Sequence, residues 1–165
     1  MVAEIRKINI FPIYYFNSEG IKKEIKETIN KQASPFEEDI LKNFNYQGLV
    51  VLDFLFPNLH TTTAKDENNT SMHERFYNDE ILKNCMEQAL LNGKITSMRS
   101  AFLNNGRYMS STPTNYPPMR AKAIFERFCP EGGVIYDYSA GFGGRMLGAL
   151  SSKYNFIYIG TDPNT

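Results

Sequence analysis

The pattern that most constrains this chain lies in its last third, between Gly132 and Asp162. Gly132-Gly-Val-Ile-Tyr-Asp137 reads as a short buried strand, and Met146-Leu-Gly-Ala-Leu-Ser-Ser152 reads as a helix. Between them stand Gly141, Gly143 and Gly144. A second apolar run, Phe156-Ile-Tyr-Ile-Gly160, then delivers Asp162 at its end, nineteen residues past Gly143. Strand, glycine turn, helix, strand, acid is the layout with which an α/β sheet cradles a nucleotide-like cofactor. The sequence stops at Thr165, so the expectation is a cofactor-binding half without the remaining strands of the sheet.

The residue types suit that role. Glycine at 141 and 143 lets the backbone turn sharply and approach a ligand with no Cβ in the way. Amides at the start of the following helix can face polar or anionic groups. An acid at the tip of the second strand is placed to accept two hydrogen bonds from a ribose diol. The dinucleotide fingerprint G-x-G-x-x-G is met only in part, since its sixth position is Met146. The spacing fits D-x-x-x-G-x-G instead, with Asp137 four residues before Gly141. The competing reading is a tight structural turn with a solvated aspartate.

At these residues the chain resembles the class I S-adenosylmethionine-dependent methyltransferases, most closely the DNA-modifying and phage or mobile-element methylases. Asp137-Tyr-Ser-Ala-Gly-Phe-Gly-Gly144 is similar to their first motif, and Gly160-Thr-Asp162-Pro-Asn to their second. Ser139 stands where many members carry glycine or phenylalanine. Asn115-Tyr-Pro-Pro-Met-Arg-Ala-Lys-Ala-Ile-Phe-Glu-Arg-Phe128 resembles the helix that packs over the methionine end of the cofactor. The resemblance implies S-adenosylmethionine as cofactor and DNA as substrate. It implies that Asp137, Ser139, Gly141, Gly143 and Asp162 form the cofactor site, with Asp162 on the ribose and Asp137 near the amino group. The implied fold is α/β: a helix-rich region over residues 1–112, then, over 113–165, the first β-α-β unit of a truncated Rossmann-like methyltransferase sheet.

The departures are equally specific. Amino-directed DNA methylases carry an Asn/Asp/Ser-Pro-Pro-Tyr/Phe loop, whereas Tyr116-Pro-Pro-Met119 precedes the first motif and lacks the leading polar residue. Cytosine-C5 enzymes need Pro-Cys, and here the order is Cys129-Pro130. No catalytic residue is therefore assigned. Two readings follow: the N-terminal portion of a methyltransferase lacking its catalytic loop, or a non-catalytic interaction protein on a truncated methylase fold, for instance an anti-defence or nuclease-inhibiting one. A nicotinamide-binding fragment is disfavoured by Met146 and the early acid at 137. An incomplete sheet would leave an unpaired edge and apolar surface near 156–160, which invites self-association or a protein partner.

Composition narrows the classes further. With 42% hydrophobic and 22% charged residues the chain is not a disordered one. No apolar run approaches the ~20 residues of a membrane span, and the N-terminus lacks a signal-peptide apolar region, so no membrane association and a cytoplasmic location are expected. Cys85 and Cys129 read as reduced core residues, and His60 and His73 lack metal-ligand spacing with them. Net charge is zero, but residues 94–153 carry eight basic and three acidic side chains. That excess suits a polyanion and equally an ordinary solvated surface.

The N-terminal two thirds read as helical scaffold. Glu4 to Phe16 alternates weakly and suggests a strand. Asn17 or Ser18 caps a helix striped by Ile21, Ile25 and Ile29, and Ser34-Pro-Phe-Glu37 opens another through about Phe44. Leu49 to Phe56 fits a buried strand or a short helix. Thr61 to Ser71 reads as a loop or linker, and Asn78 caps the clearest helix, ending at Asn92-Gly93. A short helix over Ser97–Asn104 and a loop from Arg107 to Tyr116 precede the helix Met119–Phe128.

Overall fold

The computed structural model describes residues 2–8, 10–11, 17–32, 47–63, 71–91, 93 and 113–163. Their elements in chain order are α1 Val2–Ile8, α2 Ser18–Asn30, α3 Leu49–Leu55, α4 Asn58–Thr61, α5 Met72–Tyr77, α6 Asp79–Leu91, α7 Pro118–Phe128, β1 Gly133–Asp137, α8 Gly144–Leu150 and β2 Phe156–Gly160. Over the described residues the fold is mixed α/β, rich in helix, with one two-stranded parallel sheet. Among the described residues no helix is long and apolar enough to cross a membrane. The chain divides into two compact units, residues 1–13 with 57–114, and residues 14–56 with 115–165. The helices expected over 34–44 and 97–104 lie outside the described residues.

The first unit is helical. Its core joins Ile5, Phe11, Met72, Phe76, Leu82, Cys85, Met86 and Ala89. The strand expected from Glu4 onward is instead helix α1 up to Ile8. Weak alternation misled because the charged residues are spaced for a helix. Lys7 pairs with Glu4 at i,i+3, while Arg6 donates from Nε to Asp79 Oδ1 at 2.8 Å and from Nη2 to the Phe76 carbonyl at 2.7 Å. Ser71, expected to end a loop, caps α5: Glu74 N–H donates to its Oγ and its own N–H donates to Glu74 Oε2. Asn78 caps α6 as expected, accepting from Glu80 and Ile81 N–H at 3.1 Å each. Leu82, Cys85, Met86 and Ala89 form its buried stripe, and Gly93 follows at φ 62°. Both Cys85 and Cys129 are free thiols.

In the second unit, Asn17 accepts from Gly20 N–H to start α2. Ile21 and Ile25 pack with Val51, Leu52 and Leu147, while Ile29 is exposed. The ambiguous run from Leu49 is helix α3, with Val51 and Leu52 fully buried. Lys122, counted above with the basic excess, is buried on α7 and donates to the Ile29 and Lys31 carbonyls at 3.1 and 2.6 Å. It satisfies carbonyls left open at the end of α2. Its charge is therefore not offered to a polyanion.

Helices α7 and α8 meet at unusually close range, and glycine is the reason. A Cβ on Gly148 would lie 2.6 Å from both Ala121 Cβ and the Pro118 carbonyl oxygen. One on Gly144 would strike the Tyr116 carbonyl oxygen. Four residues apart, these glycines form a groove along one face of α8. The two strands pair in register from Gly133 with Phe156 to Asp137 with Gly160. Phe125 of α7 reaches Phe156 with ring centroids 6.0 Å apart. The opposite sheet face is bare: Val134, Tyr136, Ile157 and Ile159 are 63, 63, 64 and 48% exposed.

We expect Gly148→Val to lower unfolding free energy by about 1–3 kcal/mol, the usual cost of overpacking. Leu150→Ala, at an exposed site on the same helix, should stay within about 0.5 kcal/mol. Urea denaturation of the three proteins checks both.

Candidate functional site

The parallel ladder does not stop at the strand ends. Thr161 N–H donates to the Asp137 carbonyl at 2.8 Å, and Ala140 N–H donates to the Thr161 carbonyl at 2.9 Å. The turn after β1 is thus stitched to the segment after β2, which sets Asp137, Ser139, Gly141 and Asp162 beside one another. Close approach requires Gly160, where a Cβ would lie 2.9 Å from both Ala140 Cβ and Tyr158 Cε1.

Asp137 is the anchor of this end of the sheet. Its Oδ1 accepts from Ser139 N–H at 3.1 Å. Its Oδ2 accepts from Arg145 Nε on α8 at 2.6 Å and from the Tyr158 hydroxyl on β2. The Asp137 side chain is only 10% exposed. Burial alone would raise its pKa, but the bonds from Tyr158, Arg145 and Ser139 together outweigh it and hold the carboxyl below its usual value. Burial and the carboxylate raise the Tyr158 hydroxyl well above the ordinary tyrosine value. Asp137 is therefore a fixed anion with its oxygens engaged, and Tyr158 a neutral donor. Neither is placed to move a proton, and no general base emerges here. Arg145, the second member of the basic excess that the structure describes as paired, stacks its guanidinium 5.5 Å from the Tyr116 ring centroid.

The two glycines of the turn differ in surroundings. Gly141 has φ 55°, and the nearest atom to a Cβ there would be the Ser139 carbonyl oxygen at 4.0 Å. Its N–H donates to Asp162 Oδ2 at 2.7 Å. Gly143, at φ 79° and ψ 4°, is the residue before α8. A Cβ on Gly143 would lie 2.7 Å from Phe56 Cε2 and 2.9 Å from Cζ. Beside its expected part in the ligand approach, Gly143 serves packing, because the Phe56 ring lies where a Cβ would stand. The first helical amide is engaged within the chain: Gly144 N–H donates to Asn115 Oδ1 at 3.1 Å.

Of the five residues expected to form the site, Asp137 ends β1, Ser139, Gly141 and Gly143 lie in the turn after it, and Asp162, after β2, meets the turn at the Gly141 amide. What sequence reasoning missed is its support: Arg145, Tyr158, Asn115 and Phe56. Arg145 was in view as a charge, eight residues beyond Asp137; the others carry no local signature. Among the described residues no group of three His, Cys, Asp or Glu side chains could hold a metal ion. No protein-family model matches this chain, and no curated protein or solved structure matches it.

Because the folded pKa of Asp137 lies below the unfolded one, its stabilisation is present above the ordinary carboxylate range and is lost as pH falls through the folded value. Asp137→Asn should therefore cost about 1.5–3 kcal/mol near neutral pH, the range for hydrogen bonds to a charged group. The gap to wild type should shrink steadily as acid unfolding is followed down to about pH 3. Denaturant titrations across that range measure it.

Proposed function

We propose that this chain is the N-terminal portion of an S-adenosylmethionine-dependent methyltransferase, with the cofactor seated at the β1–α8 turn. In this reading β1, α8 and β2 are the first β-α-β unit of a Rossmann-like sheet. The observation that carries it is the pairing of two carboxylates, Asp137 and Asp162, at the adjacent ends of parallel strands around a glycine turn that is open at Gly141. DNA as the substrate rests on the sequence resemblance alone.

Bound cofactor would supply a methyl group to an attacking nitrogen or carbon. The work of this chain is binding and orientation. Asp162, which holds the Gly141 amide, would receive the ribose hydroxyls. Asp137, held by Ser139, Arg145 and Tyr158, fixes the turn and would set a negative charge near the amino group of the ligand. Ser139 is exposed on the same turn.

Calorimetric titration of S-adenosylmethionine tests the site. Wild type should bind in the micromolar to millimolar range. Asp162→Asn keeps an oxygen for Gly141 N–H but loses charge, and should weaken binding by ~1.5–3 kcal/mol. Gly141→Ala, which places a Cβ in the open approach, should weaken it as well. No heat from wild type at millimolar ligand, or equal binding by all three, would refute the site.

A second reading, a non-catalytic interaction protein, is favoured by the bare sheet face. Parallel sheets are normally covered on both sides, and an apolar patch of this kind marks an interaction surface. In this reading Val134, Tyr136, Ile157 and Ile159 meet a second copy or a partner protein. Sedimentation at ~100 μM should then show association that Tyr136→Lys abolishes. A monomer unaffected by that change counts against self-association.

A further inference from the structure

The side-chain amide of Asn115 bridges the two peptides that flank Gly143. Its Nδ2 donates to the Phe142 carbonyl at 2.7 Å, and its Oδ1 accepts from Gly144 N–H at 3.1 Å. One planar amide thus pairs with the group before Gly143 and the group after it. Between them Gly143 is held at φ 79°, a conformation that costs L-residues energy but not glycine. The clamp needs two further features. Gly144 must lack a Cβ, which would otherwise lie 2.6 Å from Asn115 Oδ1 and strike the Tyr116 carbonyl oxygen. Pro117 and Pro118, directly after Asn115 and Tyr116, stiffen the segment that carries the amide into α7.

We infer that Asn115 is a positioning residue for the cofactor site: without touching the ligand, it holds Gly143 left-handed and so fixes where the Gly141–Phe142 backbone presents itself. This role rests on the cofactor reading proposed above. The chemistry demands an amide. It must donate on one side and accept on the other, at fixed separation, and glutamine would add a methylene that breaks the register. A carboxylate accepts from Gly144 N–H but sets negative charge against the Phe142 carbonyl. A protonated carboxyl regains one donor and matches the amide again.

That last property makes the test. Asn115→Asp should bind S-adenosylmethionine at least about tenfold more weakly than wild type near pH 7.5, and recover part of that loss near pH 4.5 as the introduced carboxyl begins to take up a proton. Asn115→Ala should be weakened at both values with no recovery. The charged groups around the turn are Asp137 and Arg145, paired with each other, and Asp162 on Gly141 N–H. They are common to all three proteins, so wild type at each pH is the reference. The backbone amide signal of Gly144 should shift in Asn115→Asp and return at low pH. Equal, pH-independent weakening of the Asp and Ala variants would reduce Asn115 to packing and overturn the inference. Unchanged affinity of Asn115→Asp at every pH would overturn it too. A wild type that binds no S-adenosylmethionine overturns the cofactor reading, whereas a wild type that binds while the variants behave in either of those two ways overturns the role of Asn115 alone.

Discussion

The carboxylate of Asp137 is the point on which the sheet end and its turn depend. A nearly buried carboxylate with one donor would be a liability, since desolvation of the charge outweighs a single bond. Here three donors come from three places: the turn itself through Ser139 N–H, α8 through Arg145 and β2 through Tyr158. Each donor pulls a different element toward the same two oxygens. The strand end, the helix that follows and the neighbouring strand are thereby fixed relative to one another within their unit. The anion stays ionised because its donors oppose the effect of burial.

Around that anchor the glycines divide their labour. Gly144 and Gly148 let the segment from Asn115 to Lys122 lie against α8, and Gly160 lets the turn lie against β2. Gly143 sits beneath the Phe56 ring. Only Gly141, among the glycines of the turn at positive φ, faces open space and is held from behind by Asp162. A ligand at this turn would thus approach from the Gly141 side, with the peptide geometry set by Asn115. The same stretch of six or seven residues is packed on one side and open at Gly141 on the other.

Much of this was legible, and the limits were physical. β1, α8 and β2 could be read because short β-branched and aromatic runs bracket a glycine cluster, and α6 because Asn78 precedes a clear 3.6-residue stripe. The run from Leu49 was ambiguous because it is apolar at every position but Asp53, which suits a buried strand and a buried helix equally. Helix α1 was missed because Glu4 to Phe16, rich in Ile, Phe and Tyr, was read as one stretch, while the charges at its start pair at helical distance. Two members of the basic excess are engaged within the chain, which no local pattern shows: Lys122 on carbonyls at the end of α2, and Arg145 on Asp137. The Asn115 clamp and the Tyr158 contact join residues 21 to 29 positions apart, so no local pattern announces them.

The central claim is that the turn between β1 and α8 is a cofactor site entered from Gly141. A nuclear magnetic resonance titration of the uniformly labelled chain with S-adenosylmethionine tests it most directly. The account predicts amide shifts concentrated at Tyr138 to Phe142 and at Thr161 and Asp162, with Val134 and Ile157 on the bare sheet face unmoved. Shifts confined to that face, or none at millimolar ligand, would contradict it.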